Sequence, residues 1–396
     1  MSASMPRAER IAAIASGYVE AEAFAGIEWL VHAKGKELAR GGVGYDDADA
    51  GSPLPDGAIY RIFSMTKPVV SLLALQLVEA GQLRLYDMVV QYDQRFGGLR
   101  VLETTGALGP VARPLTVEDL LTHRAGFTYE FIHGCHIAQY YREAEITHDG
   151  QCSLEEMMSR LVEIPLAFQP GSRFRYSVSI DVLAHVIERA TDRSLDELLK
   201  AYIFDPLGMD DTAFAVPEDK QHRLLTMYGA GDLSGLPPLE VAPQRLDRLD
   251  VDRMYPINKP DTFRRGGLGL YSTLEDYGRF AAMLLTGRSA DGQILISRKM
   301  MEMLRTNRIP RAQLPLAIGP NVLHGFGWGL IGRVYLDSGA GLTLSGEGEF
   351  GWAGAAGTFF WVDPREDMYG VVMTQYMGAS VPLADDMRTA AYQALE

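Results

Sequence analysis

The sequence predicts an α+β protein whose central antiparallel sheet is assembled from both ends of the chain, with a mainly helical lobe inserted between them. Three observations carry this. Period-2 apolar alternation is confined to the first 60 residues and to those after about 320, a 3.6-residue apolar period dominates the middle, and Gly and Pro clusters separate the segments. At 396 residues the chain is too long for one simple core and short for three domains, so two lobes follow: 1–75 with 320–396, and 76–319.

The elements follow in order. Ile11 to Ala15, flanked by Arg7, Glu9, Arg10 and Glu20, reads as an amphipathic surface helix; its apolar run is too short for a secretory leader, which points to a cytoplasmic protein. Gly26 to Ala33 and Leu38 to Tyr45 read as a hairpin turning at Lys34-Gly35-Lys36. Ile59 to Phe63 reads as a short strand, leading into a buried helix over 64–80. Helices follow at Val117 to Leu121, Leu154 to Val162, Ile180 to Ala190, Leu195 to Tyr202, Thr273 to Leu285 and Ser297 to Leu304, with long loops between, notably 225–270. Strands at Gly325 to Leu330, Val334 to Leu336, Phe350 to Ala355, Thr358 to Val362 and Tyr369 to Thr374 precede a closing helix, Asp385 to Leu395.

Composition narrows the function. Hydrophobic content of 47% and charged content of 22% are those of an ordinary globular protein. The net charge of −14 without a basic tract disfavours nucleic acid and anionic membrane surfaces as partners, and no apolar run reaches the roughly 18 residues that span a bilayer. Two cysteines, Cys135 and Cys152, make no disulfide framework. His133-Gly134-Cys135-His136 fits no standard zinc spacing, and 131–152 reads instead as a flap over a cleft.

Ser64-Met65-Thr66-Lys67 is where chemistry is most legible. A serine and a lysine at i, i+3 share one helix face, so an amine lies beside a hydroxyl that it can deprotonate. Pro68 fits only a first turn, which sets Ser64 at a helix N-terminus, where unpaired N–H groups and the macrodipole favour developing negative charge. The alternative is a serine cap beside a solvated lysine. No G-x-S-x-G elbow occurs, which excludes the α/β-hydrolase arrangement. His123, in Leu120 to Gly126, reads as a structural cap at a helix end rather than a base. Tyr176, in a loop entering the helix near Ile180, is the better partner: a phenol near an ammonium can pass a proton between serine and leaving group. Tyr255 to Pro260 and Arg264-Arg265 read as a cleft wall or, equally, a solvated loop.

With these residues in place, the chain resembles the serine β-lactamase and penicillin-binding protein superfamily, and within it the family VIII carboxylesterases. Ser64-Met65-Thr66-Lys67 is similar to the first motif, Tyr176-Ser177-Val178 to the Tyr-x-Asn motif, and Gly351-Trp352-Ala353-Gly354 to the position of Lys-Thr-Gly. Leu120 to Gly126, Phe204 to Met209, Gly266-Gly267-Leu268 with Ser272-Thr273, and Gly357 to Pro364 are also similar. The resemblance implies a β-lactamase-like fold, Ser64 as acylated nucleophile, Lys67 and Tyr176 sharing base and acid roles, and an oxyanion hole from the N–H groups of Ser64 and Ala355. It implies no cofactor and no metal. Trp352, Val178 and Gly354 would then face substrate. Two departures shift that substrate. Trp352 replaces the lysine that would meet a β-lactam carboxylate, and Val178 replaces an amide that would bond a substrate amide. Together they point to uncharged short- to medium-chain or aryl esters. Trp352 also reads as a core tryptophan. An acyltransferase, an amidase, D-aminopeptidase or weak β-lactamase, or a catalytically silent binding protein on this fold remain the competing readings.

Overall fold

In the computed structural model the structure describes residues 7–132, 134–229, 246–259, 262–379 and 381–395. His133, Pro260 and the centre of the 225–270 loop, singled out above, lie outside these residues.

The sheet does unite the two termini. Helix α1 (Glu9–Glu20) leads to β1 (Gly26–Ala33), β2 (Lys36–Asp47) and β3 (Ser52–Pro53). The tight β1–β2 turn needs Lys34 and Gly35 both at positive φ, 51° and 73°. Then come β4 (Tyr60–Arg61), α2 (Thr66–Glu79), α3 (Val117–Leu121), α4 (Ser179–Thr191), β5 (Tyr271–Ser272) and α5 (Leu274–Thr286). The chain closes with β6 (Phe326–Trp328), β7 (Arg333–Tyr335), β8 (Phe350–Ala353), β9 (Phe359–Asp363), β10 (Met368–Met373) and α6 (Leu383–Gln393). The eight-stranded sheet runs β6-β7-β8-β9-β10-β1-β2-β3, and β1 pairs antiparallel with β10, Leu30 opposite Val371.

Alternation along the strands divides the molecule. Ile27, Trp29, Val31, Phe359 and Trp361 face α1 and α6, meeting Ile11, Ala15, Leu383 and Met387. Leu30, Phe350, Phe360 and Val371 face the helical lobe and join the large core around α2. Twelve of the fourteen residues of α2 are buried, which explains why its sequence is apolar on every side. Each fully buried Leu or Val there contributes about 1.5–3 kcal/mol. No described helix is long and apolar enough to cross a membrane.

Strand ends differ from expectation: Gly325 to Leu330 shortens to Phe326–Trp328, and two further differences bear on the site. Of Ile59 to Phe63 only Tyr60–Arg61 is a strand, and it pairs with Tyr271–Ser272 outside the main sheet. The strand expected to reach Ala355 ends at Ala353, because Gly354 to Gly357 turns the chain back into β9.

Candidate active site

The chain enters Ser64 through a sharp change of direction. Phe63 sits at φ +42°, a left-handed conformation that costs a bulky residue on the order of 1–3 kcal/mol, and its ring is held by Tyr255 at 4.8 Å between centroids. A single 3-10 turn, Phe63–Met65, then opens into α2. Pro68 occupies the first turn of α2, as its missing N–H requires. Tyr255 and Arg265 are wholly buried and Tyr255 packs on Phe63 beside Ser64, whereas Asn258 and Lys259 are exposed, so the stretch is part wall and part solvated loop.

One turn on, Lys67 is 2% exposed with its Nζ 3.2 Å from Ser64 Oγ and donating to the Gly267 carbonyl at 2.6 Å. The Nζ also lies over the rings of Tyr176 (4.8 Å) and Tyr129 (5.2 Å). Burial drives its pKa down to about 7, with Asp181 opposing the shift. A solvated lysine is thereby ruled out. Asp181 is buried in the first turn of α4, its Oδ1 taking the Gly267 N–H at 2.9 Å while Oδ2 has no hydrogen-bond partner among the described residues. Burial pushes its carboxyl up, and the Lys67 charge and the Gly267 N–H pull it back. The Gly267 peptide thus links carboxylate to amine. Glycine is required there because a Cβ would come within 2.3 Å of Asp181 Oδ2.

Tyr176 reaches the same point from the loop before α4. Its phenol oxygen accepts the indole N–H of Trp352 at 3.0 Å and lies near enough to Ser64 for the serine hydroxyl to favour its ionised form. Burial raises its pKa far above the ordinary value, although Ser64 and the Trp352 N–H pull the other way, so the phenol is protonated at neutral pH. Tyr129, Trp328 and His123 complete an aromatic collar around the Tyr176 ring.

Ser64, Lys67, Tyr176 and Trp352 are therefore brought together. Trp352 is only 8% exposed and its N–H is already engaged, so its main contact is Tyr176 and not open cleft. Trp352→Phe keeps the ring and removes the donor; kcat should fall about 3- to 10-fold, the worth of one neutral hydrogen bond, with KM unchanged. A raised KM at constant kcat would instead make Trp352 a substrate contact. Val178 is not brought to the cleft: it caps α4, wholly buried, its N–H on the Thr128 carbonyl. Gly354 acts as a spacer, since a Cβ would come within 2.4 Å of the Ile62 carbonyl. This draws the turn after β8 against the segment leading to Ser64. The exposed Ala355 heads that turn, and its N–H meets no acceptor among the described residues, whereas the Gly354 N–H is held by the Thr358 carbonyl at 2.7 Å.

The expected flap is fastened along its second half: the Gly150 N–H donates to the Arg253 carbonyl (2.9 Å), and Arg265 bonds the carbonyls of Asp149 and Cys152. Cys135 faces the Arg175 guanidinium at 2.8 Å. Sequence reasoning missed Asp181 and Tyr129, and it noted Gly267 only within a family-like stretch, without a role. An acid inside the otherwise apolar run Ile180 to Ala184 was the available signal for Asp181.

With serine, amine and phenol in one cluster at the seam of sheet and helical lobe, comparison with known proteins becomes decisive. Residues 11–394 match the Beta-lactamase family. The chain belongs to that family. Its relatives include protein Rv1367c of Mycobacterium tuberculosis, 33% identical over 90% of this chain and 87% of the relative, and esterase EstB of Burkholderia gladioli, 29% identical over 92% and 89%. Among solved structures, EstCE1, described as a hydrolase with promiscuous acyltransferase activity, superposes with a TM-score of 0.82 at 22% identity, covering 98% of each chain. The family fold is the one the motif resemblance implied.

Proposed function

We propose that the protein is a serine carboxylesterase of the family VIII type, acting on short- to medium-chain uncharged and aryl esters through an acyl-Ser64 intermediate. The observation that carries this is the desolvated Lys67 amine 3.2 Å from Ser64 Oγ. An amine with a pKa of about 7 is neutral in half the molecules at that pH and can take the serine proton as Oγ attacks the ester carbonyl. Tyr176, still protonated, then delivers a proton to the departing alkoxide, with the Trp352 N–H easing the negative charge this leaves on the phenol oxygen. The oxyanion is received by the N–H groups of Ser64 and Ala355. Water deacylates the enzyme by the same steps in reverse. Every role is filled by protein groups, so chelator should leave turnover unchanged.

The esterase reading draws support from EstB, and the preference for uncharged substrates from Trp352 standing where a lysine would meet a carboxylate. The promiscuous acyltransferase activity of EstCE1 favours a second outcome for the same intermediate, transfer to an alcohol in place of water. The test is a panel of p-nitrophenyl acetate, butyrate and octanoate against a chromogenic cephalosporin, with and without added alcohol, together with fluorophosphonate labelling mapped to its residue. Ester turnover with label on Ser64 is expected. Preferential cephalosporin opening would overturn the substrate assignment, and failure to label would revive a silent binding protein.

A further inference from the structure

His123 ends α3 in a left-handed conformation, φ +53°, as a helix-terminating residue often does. A cap accounts for its backbone and leaves its side chain unexplained, because glycine or asparagine would end the helix without burying an imidazole. Here His123 is 1% exposed and its Nε2 has no partner among the described residues, an arrangement that costs desolvation.

The contacts of His123 converge on one residue. Its carbonyl takes the N–H of Arg175 at 2.8 Å, its Nδ1 lies 3.3 Å from the Ser177 hydroxyl, and its ring centre is 4.8 Å from that of Tyr176. Ser177 Oγ is in turn 2.8 Å from Ser179 Oγ, at the start of α4. Behind the imidazole stands Trp328 at 5.1 Å, itself fixed by its N–H on the Leu121 carbonyl at 3.2 Å. The residues on both sides of Tyr176, and its ring, are thus gripped by one side chain and its carbonyl.

We infer that His123 is a positioning residue for Tyr176, fixing the phenol oxygen between Ser64 and the Trp352 indole by holding Arg175, Tyr176 and Ser177 together. The inference rests on the esterase reading above, in which Tyr176 delivers the proton. Misplacing a proton donor by a fraction of an ångström slows the proton-transfer step while leaving substrate binding alone.

The test compares wild type, His123→Ala, His123→Asn, Ser177→Ala and Ser64→Ala on p-nitrophenyl butyrate, with rates of the four Ser64-bearing proteins expressed per fluorophosphonate-labelled site so that unfolded protein is not counted, and the rate of Ser64→Ala per mole of purified protein. His123→Ala and Ser177→Ala should lose about 10- to 100-fold in kcat with KM within about twofold. His123→Asn, which accepts positive φ and still offers a polar group toward Ser177, should recover part of the loss. The acid limb of the rate profile belongs to Lys67, which Asp181, Tyr129, Tyr176 and His123 face, and should stay in place while the plateau drops. A kcat per labelled site equal to wild type in both alanine variants, whatever their melting temperatures, would reduce His123 to a cap. An acid limb displaced upward with falling stability would do the same, by showing that water had entered the cleft. Should His123→Ala not fold, Ser177→Ala decides, since it leaves the helix end intact. Undiminished turnover by Ser64→Ala would bring down the esterase reading itself, a result separate from the comparison of the His123 and Ser177 variants.

Discussion

Ser64→Ala, Lys67→Met and the double variant should each lose turnover of a p-nitrophenyl ester by about the same factor, on the order of 10⁴- to 10⁶-fold, because groups that act as one unit fail together. The shared loss follows from geometry: Lys67 Nζ is 3.2 Å from Ser64 Oγ and anchored on the Gly267 carbonyl, so neither group has a substitute. Independent, multiplying losses would mean that Lys67 is not the base for Ser64. In wild type, kcat/KM should rise with pH through about 7 as Lys67 gives up its proton. The same burial carries a stability signature. The folded amine titrates at about 7 and the unfolded one near 10.5, so between these values the unfolded chain holds the extra proton and stability rises with pH. Lys67→Met removes that slope. The variant should melt above wild type at pH 6, by on the order of a few kcal/mol of stability, with the gap closing toward pH 10. Melting curves at pH 6 and 9.5 check it; equal melting temperatures at pH 6 would mean that the amine is not desolvated.

Gly354→Ala should lower kcat about 10²- to 10³-fold, the worth of one oxyanion donor, with little change in KM. A backbone N–H cannot be deleted by mutation, yet it can be moved. A Cβ on Gly354 would lie 2.4 Å from the Ile62 carbonyl and 2.3 Å from Thr358 Oγ1. The threonine can rotate. The Ile62 carbonyl cannot, since it accepts the Met65 N–H in the turn that carries Ser64. The turn after β8 must therefore retreat, taking the Ala355 N–H with it. Kinetics of purified variant normalised to labelled Ser64 measure the effect. Wild-type kcat would show that this N–H does not receive the oxyanion.

Much of the molecule is legible along the chain because its signals are local. Residues 64 and 67 share a face through helix geometry alone, and Pro68 sets the first turn within three residues of the serine. Strand alternation near each terminus and the 3.6-residue period between them give the sheet and the inserted helices without reference to any contact. Element ends were less legible. Ala355 falls in a turn because Gly354 must pass the Ile62 carbonyl, a neighbour almost three hundred residues away that no window of sequence contains.

The sequence by itself determined the architecture and the presence of a serine with a lysine one turn on, since each depends on residue type and short-range spacing; that Trp352 stands at the position of a lysine came only through the motif resemblance. Tertiary structure alone decided what those groups can do. Lys67 titrates near neutrality because packing removes its water, Trp352 bonds Tyr176 because two distant segments cross, and Asp181 is joined to Lys67 through the backbone of Gly267. Desolvation and hydrogen bonding are properties of what surrounds a group, and in this protein those surroundings are assembled from segments 86 to 200 residues apart.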